Sequence, residues 1–249
     1  MPNIVTILGL CVGITSIRYA LDEKWTMAVG LIVIAAILDG IDGRLARLLN
    51  STSKFGAELD SLVDVINFGV APALINYLWL LHEIPYKGVG WAVVLIYVAC
   101  STIRLARFNS NLDDAEAKKT SQNFFTGVPI TAASVLSLCP LIVTFEIYPY
   151  KICYWLIALY LPLIGLLMVS RLPTFSFKTV IIPREYISFL LVGIALVIAA
   201  TLLEPWLILP FFGLIYFCTM PFSALNYYRM RKAASNKPAD GGTTKTHQE

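Results

Sequence analysis

Long apolar segments with very few charged residues set the strongest limit on how this chain can fold. The segment from Ile152 to Ser170, for example, contains no charged residue. A bilayer core is about 30 Å thick, and a helix needs roughly 20 residues to cross it. With 57% hydrophobic and 14% charged residues, the chain also lacks the polar material to cover a soluble globule of 249 residues. The sequence therefore predicts an all-α, polytopic transmembrane helix bundle.

Charged and turn-forming segments divide the chain into about eight predicted spans. We expect them near residues 4–20, 25–43, 60–81, 89–107, 126–145, 152–170, 185–203 and 206–226. The first run has no basic residue ahead of it and no small-x-small cleavage site behind it, so we expect a retained span rather than a signal peptide. Residues 1–228 should form one transmembrane domain. The polar tail 229–249 has no apolar periodicity, and we expect it to be mobile.

The basic residues predict the orientation of the bundle. An even number of spans puts both termini on one side, and only Arg18, Lys24, Lys87 and Lys151 of the 19 lysine and arginine residues fall on the other side. By the positive-inside tendency, the termini should be cytoplasmic.

The net charge of +3 is too weak to indicate nucleic-acid binding. The five cysteines have no paired spacing, so neither a zinc site nor a disulfide framework is predicted.

Four aspartates lie at the ends of two predicted spans, where a bilayer disfavours charge. Asp39 and Asp42 close the second span, and Asp60 and Asp64 open the third. Residues three or four apart share one face of a helix, and the short loop around residues 50–53 would bring the two faces together. We therefore expect four carboxylates to converge. Oxygen ligands suit Mg²⁺ or Mn²⁺, and four carboxylates can hold two such ions about 4 Å apart, an arrangement that promotes displacement at phosphorus.

Small residues surround these aspartates. Gly43, Ala46 and Gly56 lie within one turn of Asp42 or Asp60, so a nucleotide could approach the backbone there. Arg47 adds a cation for a phosphate oxygen. Close packing of membrane helices explains single glycine and alanine residues equally well. The small residues alone therefore leave both interpretations open.

The motif itself is specific. Residues 42–64 read Asp-Gly-x2-Ala-Arg-x8-Gly-x3-Asp-x3-Asp, with Asp39 three residues ahead. This pattern resembles the signature of the CDP-alcohol phosphotransferases. The surrounding segments 48–62, 68–73, 104–109, 125–129 and 168–178 are similar to the phosphatidylserine synthase branch of that family. The resemblance extends over about residues 1 to 180. The last two predicted spans, beyond Arg184, carry few polar residues, and we expect them to be a structural addition to a six-span catalytic core.

The resemblance implies a reaction and a set of site residues. Asp39, Asp42 and Asp60 would be metal ligands, and Asp64 would bind the second ion and accept the proton of the attacking hydroxyl. That hydroxyl, from L-serine, would displace CMP from the β-phosphorus of CDP-diacylglycerol. The candidate contacts to the CDP-lipid are Asn3, Thr6, Gly43, Ala46, Arg47, Ser53 and Gly56. The resemblance also implies a homodimer in a bacterial inner membrane, in contact with membrane lipids, with a cytoplasmic active site.

The serine site is less sharply defined by sequence. A serine carboxylate needs a cation, and Arg104, Arg107 and Lys178 fall at cytoplasmic ends of predicted spans or loops. Asn109 could hold the amino group. The alternative is that these basic residues are positive-inside anchors and that Asn109 is a helix cap.

Three other functions remain open at this stage. The acceptor could be glycerol 3-phosphate, inositol phosphate or choline, although three dispersed cations suit an unphosphorylated alcohol better. An ion-coupled transporter would instead place polar residues near the middle of several spans. An inactive scaffold would have no reason to keep the full motif.

Overall fold

The fold is that of a computed structural model of the chain. It describes residues 2–48, 53–113, 125–147, 152–170, 173–174, 193, 195–196, 199–200 and 203–215. The α-helices among them are α1 (Pro2–Leu21), α2 (Trp25–Leu48), α3 (Lys54–Asp64), α4 (Ala71–Trp79), α5 (Lys87–Asp113), α6 (Ile130–Ile147), α7 (Tyr154–Val169) and α8 (Pro205–Ile215). A π-helical turn, Val65–Val70, joins α3 to α4, and a 3₁₀ turn, Leu81–Glu83, follows α4. Two short strands, β1 (Phe125–Thr126) and β2 (Pro173–Thr174), form an antiparallel pair.

The helices confirm the predicted polytopic membrane bundle. Among the described residues, four apolar helical segments are long enough to cross a bilayer, namely Asn3–Leu21, Trp25–Leu45, Lys54–Trp79 and Gly88–Ser110. Three shorter apolar helices coincide with later predicted spans, namely Ile130–Glu146, Tyr154–Val169 and Pro205–Ile215. The predicted span 185–203 lies largely outside the described residues, as does the tail 229–249, so the count of eight stays a prediction. The chain is an integral membrane protein.

Packing brings the first four helices together. A three-residue turn at 22–24 joins α1 to α2, which pack along each other, and α1 also contacts α3 and α4. Phe68, Tyr97 and Ile157 are fully buried in the shared core. By contrast, Leu159 of α7 is 77% exposed, as expected for an apolar side chain that faces lipid.

The strand pair connects the start of α6 to the end of α7. Gly127 follows β1 with a φ of +82°, a conformation that favours glycine. A Cβ there would lie 2.6 Å from the carbonyl oxygen of Met168. Arg107 of α5 reaches the same region, where its Nη1 donates a hydrogen bond to the carbonyl oxygen of Val169 at 2.8 Å. The strand pair and the Arg107 hydrogen bond thus bring the last turns of α5, the start of α6 and the end of α7 together.

Candidate metal centre and active site

Three of the predicted carboxylates converge. Asp39 of α2 and Asp60 and Asp64 of α3 offer carboxylate oxygens that all lie within 4.8 Å of one another. The side chains are partly buried. Asp64 is also close enough to Asp39 for a hydrogen bond between their carboxyl groups and to Arg104 for a favourable charge interaction. Like charges this close repel one another unless protons or cations lie between them.

Asp42 lies beside this trio and is held differently. Only 5% of it is exposed, and its Oδ2 accepts a hydrogen bond from the Thr6 hydroxyl of α1. Within the described part of the chain its Oδ1 has no hydrogen-bond partner. Asp42 still interacts electrostatically with Asp39 and Asp60. The fourth carboxylate is therefore adjacent to the cluster, and one of its oxygens already accepts a hydrogen bond from Thr6 of α1.

A small cleft runs between α1, α2 and the α3–π segment beside these carboxylates. It is lined by Val5, Thr6, Gly9, Ala35, Asp39, Asp42, Asp60, Val63 and Asn67. The donor set at its acidic end is made of oxygen atoms alone, and a buried carboxylate oxygen without a partner is costly. A hard divalent cation would satisfy both the clustered charges and the unpartnered Oδ1 of Asp42. The residues present therefore fit such an ion.

Three of the predicted CDP-lipid residues meet at the start of α3. Ser53 is the N-cap of α3, and its Oγ accepts a hydrogen bond from the backbone N–H of Gly56 at 3.0 Å. This cap explains why the helix begins at Lys54, six residues before the predicted span. A Cβ at Gly56 would lie 3.2 Å from Asn3 Oδ1, so α1 lies against the same turn.

The other predicted CDP-lipid residues lie on α1 and α2. Thr6 bonds to Asp42, as described above. Gly43 is exposed, and a Cβ there would meet no atom within 4 Å among the described residues. Ala46 and Arg47 continue α2, but their side chains lie outside the described part of the structure. Their role in lipid binding stays a prediction.

The predicted serine residues separate into two groups. Arg104 interacts with Asp64, and Asn109 Nδ2 donates to Ser61 Oγ at 2.9 Å, so both lie beside α3. Arg107 instead bonds to the last residue of α7. Lys178 lies outside the described residues. The geometry thus places Arg104 and Asn109 near the carboxylates and gives Arg107 a contact that joins two helices.

Sequence reasoning did not single out Asn67 and the π-helical turn that contains it. Asn67 is 2% exposed, lines the cleft, and donates from Nδ2 to the carbonyl oxygen of Gly9 at 3.1 Å. The available signal was an asparagine inside an apolar segment, together with two glycines, Gly9 and Gly13, at a four-residue spacing on α1. A buried amide in a membrane helix needs a partner, and small residues allow one to approach.

Comparisons with known proteins agree with the motif. A family model described as CDP-alcohol phosphatidyltransferase matches residues 1–168, and a second, CDP-alcohol phosphatidyltransferase 2, matches residues 185–221. The second match covers most of the two spans that sequence analysis treated as a structural addition.

Similar curated proteins match most of the chain. A CDP-diacylglycerol--serine O-phosphatidyltransferase of Mycobacterium leprae is 40% identical over 228 residues, which are 91% of this chain and 75% of that protein. The protein of the same name from Mycobacterium tuberculosis is 38% identical over 224 residues, 90% of this chain and 77% of the relative. That of Helicobacter pylori is 42% identical over 180 residues, 72% of this chain and 73% of the relative. The motif, the family match over residues 1–168 and these relatives together show that this chain belongs to the CDP-alcohol phosphatidyltransferase family.

Proposed function

We propose that this protein transfers the phosphatidyl group of CDP-diacylglycerol to the hydroxyl of L-serine and releases CMP. The observation that carries the proposal is the convergence of Asp39, Asp60 and Asp64 within 4.8 Å in a member of this family. Serine is supported as the acceptor by the relatives, whose names specify it and which match most of the chain. The membrane bundle suits a reaction whose lipid substrate and product both stay in the bilayer.

The cofactor in this proposal is a pair of divalent cations, Mn²⁺ or Mg²⁺. The family generally uses a divalent metal. Asp39, Asp42, Asp60 and Asp64 would hold the ions, since the first three line the cleft and the carboxylate oxygens of Asp64 lie within 4.8 Å of those of Asp39 and Asp60. Bound there, the ions would neutralise phosphate charge and stabilise the departing CMP.

The chain's own residues then position and deprotonate the acceptor. The serine hydroxyl oxygen forms a bond to the β-phosphorus of CDP-diacylglycerol, and the bond from that phosphorus to the CMP oxygen breaks. Asp64 takes the hydroxyl proton, so phosphatidylserine and CMP are the products. The neighbouring Arg104 interacts electrostatically with Asp64 and is our candidate partner for the serine carboxylate. Asn109, close to α3 through Ser61, is the candidate for the serine amino group.

The start of α3 is the proposed site for the CDP-lipid phosphates. Free backbone N–H groups and the helix dipole favour anions at a helix N-terminus. Asn3, Ser53 and Gly56 already lie together there, and Gly43 leaves open space on α2. Thr6, Ala46 and Arg47 complete the proposed set. Arg107 is a weaker candidate for the serine pocket than Arg104, because its Nη1 is bonded to Val169.

Orientation and assembly belong to the same proposal. We place the protein in a bacterial inner membrane with the acidic site and both termini cytoplasmic, because most of the basic residues are predicted to fall on that side. Residues 1–228 would form the transmembrane domain and residues 229–249 a cytoplasmic tail. A homodimer is proposed from the family resemblance alone.

Release of CMP by the purified full-length protein tests the reaction. The assay supplies CDP-diacylglycerol in detergent with Mn²⁺ or Mg²⁺ and compares L-serine with glycerol 3-phosphate, inositol phosphate and choline. We expect release that needs both serine and metal, with phosphatidylserine as the lipid product. Release with another acceptor would keep the metal chemistry and refute serine, whereas no release with any acceptor would refute the enzyme.

A matched pair of variants on α3 links the reaction to the carboxylates. Asp60→Asn removes a member of the cluster, and Glu58→Gln removes an exposed acid two residues away. We expect Asp60→Asn to abolish CMP release and Glu58→Gln to leave it close to the wild-type rate. Equal effects would refute a specific role for the cluster.

A further inference from the structure

The helix that carries Asp60 and Asp64 changes its geometry immediately after Asp64. Val65–Val70 form a π-helical turn, in which the N–H of Ala71 bonds to the carbonyl oxygen of Ile66, five residues earlier. Such turns are rare and are frequently found at functional sites. One additional residue in a turn rotates the helix on one side by about 100° relative to the other. The π turn therefore sets the rotation of α3 relative to α4.

Asn67, in the middle of this turn, is hydrogen-bonded to α1 and packs closely against it. Its Nδ2 donates to the carbonyl oxygen of Gly9 at 3.1 Å. Its Oδ1 occupies the space above Gly13, where a Cβ would overlap with Oδ1 and lie 2.6 Å from Asn67 Cγ. The absence of a side chain at Gly13 is thus what allows the asparagine to insert against α1.

Two further contacts hold the turn on its other side. The Tyr97 hydroxyl of α5 donates to the carbonyl oxygen of Phe68 at 3.3 Å. Gly69 packs so closely against Ser101 that a Cβ there would overlap with the Ser101 hydroxyl. The π turn is therefore fixed between α1 and α5 rather than free to relax to a regular helix.

This rotation matters because α3 and α4 must each direct particular side chains towards a particular neighbour. Asp60 and Asp64 must point towards Asp39 across the cleft, while Ala71 and Ile75 of α4 are fully buried in the core. Relaxing the turn would shift one face or the other. We propose that Asn67 is a positioning residue, which by binding Gly9 and filling the space at Gly13 keeps α3 rotated so that its carboxylates meet Asp39 at the metal centre. This inference rests on the metal centre of the proposed function.

Mn²⁺ affinity, measured by electron paramagnetic resonance on purified full-length protein without substrate, tests the inference. The variant is Asn67→Leu, and its matched control is Asn76→Leu. Asn76 is a fully buried asparagine on the same continuous helix that bonds to Ser137 of α6 at 3.2 Å but does not line the cleft. We expect Asn67→Leu to weaken Mn²⁺ binding roughly 10-fold, as for other groups that orient metal ligands, and Asn76→Leu to leave it close to wild type.

A steric pair keeps the inference falsifiable should Asn67→Leu fail to fold. Gly13→Ala forces the Asn67 side chain to move, and Gly165→Ala crowds another helix pair, where a Cβ would lie 3.2 Å from Cys100 Cβ. We expect weaker Mn²⁺ binding only for Gly13→Ala. In both Asn67→Leu and Gly13→Ala, excess Mn²⁺ should restore much of the CMP release, which a merely unfolded fraction would not do.

The outcomes separate the two proposals. Unchanged Mn²⁺ affinity in Asn67→Leu or in a folded Gly13→Ala, or an equal loss in Asn76→Leu, would overturn the positioning role while the proposed function stands. Specific loss in Asn67→Leu together with CMP release on an acceptor other than serine would support the positioning role and refute serine transfer. A wild-type protein that binds no Mn²⁺ would overturn the metal centre and this inference with it.

Discussion

The hydrogen bond from Thr6 to Asp42 makes the most direct prediction about the metal centre. Replacing Thr6 with Val keeps a similar shape and removes the hydroxyl, so the Oδ2 of a carboxylate that is 5% exposed loses this donor. A hydrogen bond to a charged group contributes about 1.5–3 kcal/mol. At 1.36 kcal/mol per factor of ten, we expect kcat/KM to fall roughly 10- to 150-fold. The lower part of this range applies if bound metal compensates Asp42 in part.

The assay is CMP release over a titration of Mn²⁺, with Thr6→Ser as the control that keeps the hydroxyl. We expect Thr6→Val to need more Mn²⁺ than wild type and Thr6→Ser to behave much like wild type. Identical Mn²⁺ curves for the two variants would refute a role for Thr6 in orienting Asp42. A rise in KM for CDP-diacylglycerol alone would instead support the contact to the CDP-lipid that the family resemblance implies.

Three further predictions concern the base, the metal and the two arginines. Asp64→Asn should abolish turnover while the protein stays folded, and substantial residual CMP release would exclude Asp64 as the base. Chelation with EDTA should stop CMP release, and added Mn²⁺ or Mg²⁺ should restore it; release that persists in EDTA would contradict the metal mechanism. Arg107→Met should lower stability by about 1–3 kcal/mol through the lost bond to Val169, with KM for serine unchanged, whereas Arg104→Met should raise that KM. These predictions are checked by a serine titration and a thermal melt. A raised KM for serine in Arg107→Met and lost stability in Arg104→Met would instead assign serine binding to Arg107 and the structural role to Arg104.

The sequence by itself determined the class of fold, because the length and apolar character of a membrane helix are local properties. The prediction of a span at 152–170 matches α7, Tyr154–Val169, within two residues. The sequence also identified the acidic pairs, because residues three or four apart share a face of a helix wherever that helix lies in the fold. The start of α3 was missed by six residues, because an N-cap such as Ser53 outweighed the onset of apolar sequence.

Only the tertiary structure decided how the predicted groups are used. Asp42 bonds to Thr6 at a separation of 36 residues, Asn67 to Gly9 at 58, and Arg107 to Val169 at 62. No periodicity marks such pairs, because each depends on how closely two helices distant in sequence approach each other. That approach is set by packing, including the missing side chain at Gly13. The sequence thus determined which carboxylates are available. Packing determined that Asp39, Asp60 and Asp64 converge, while Asp42 accepts a hydrogen bond from Thr6 of α1.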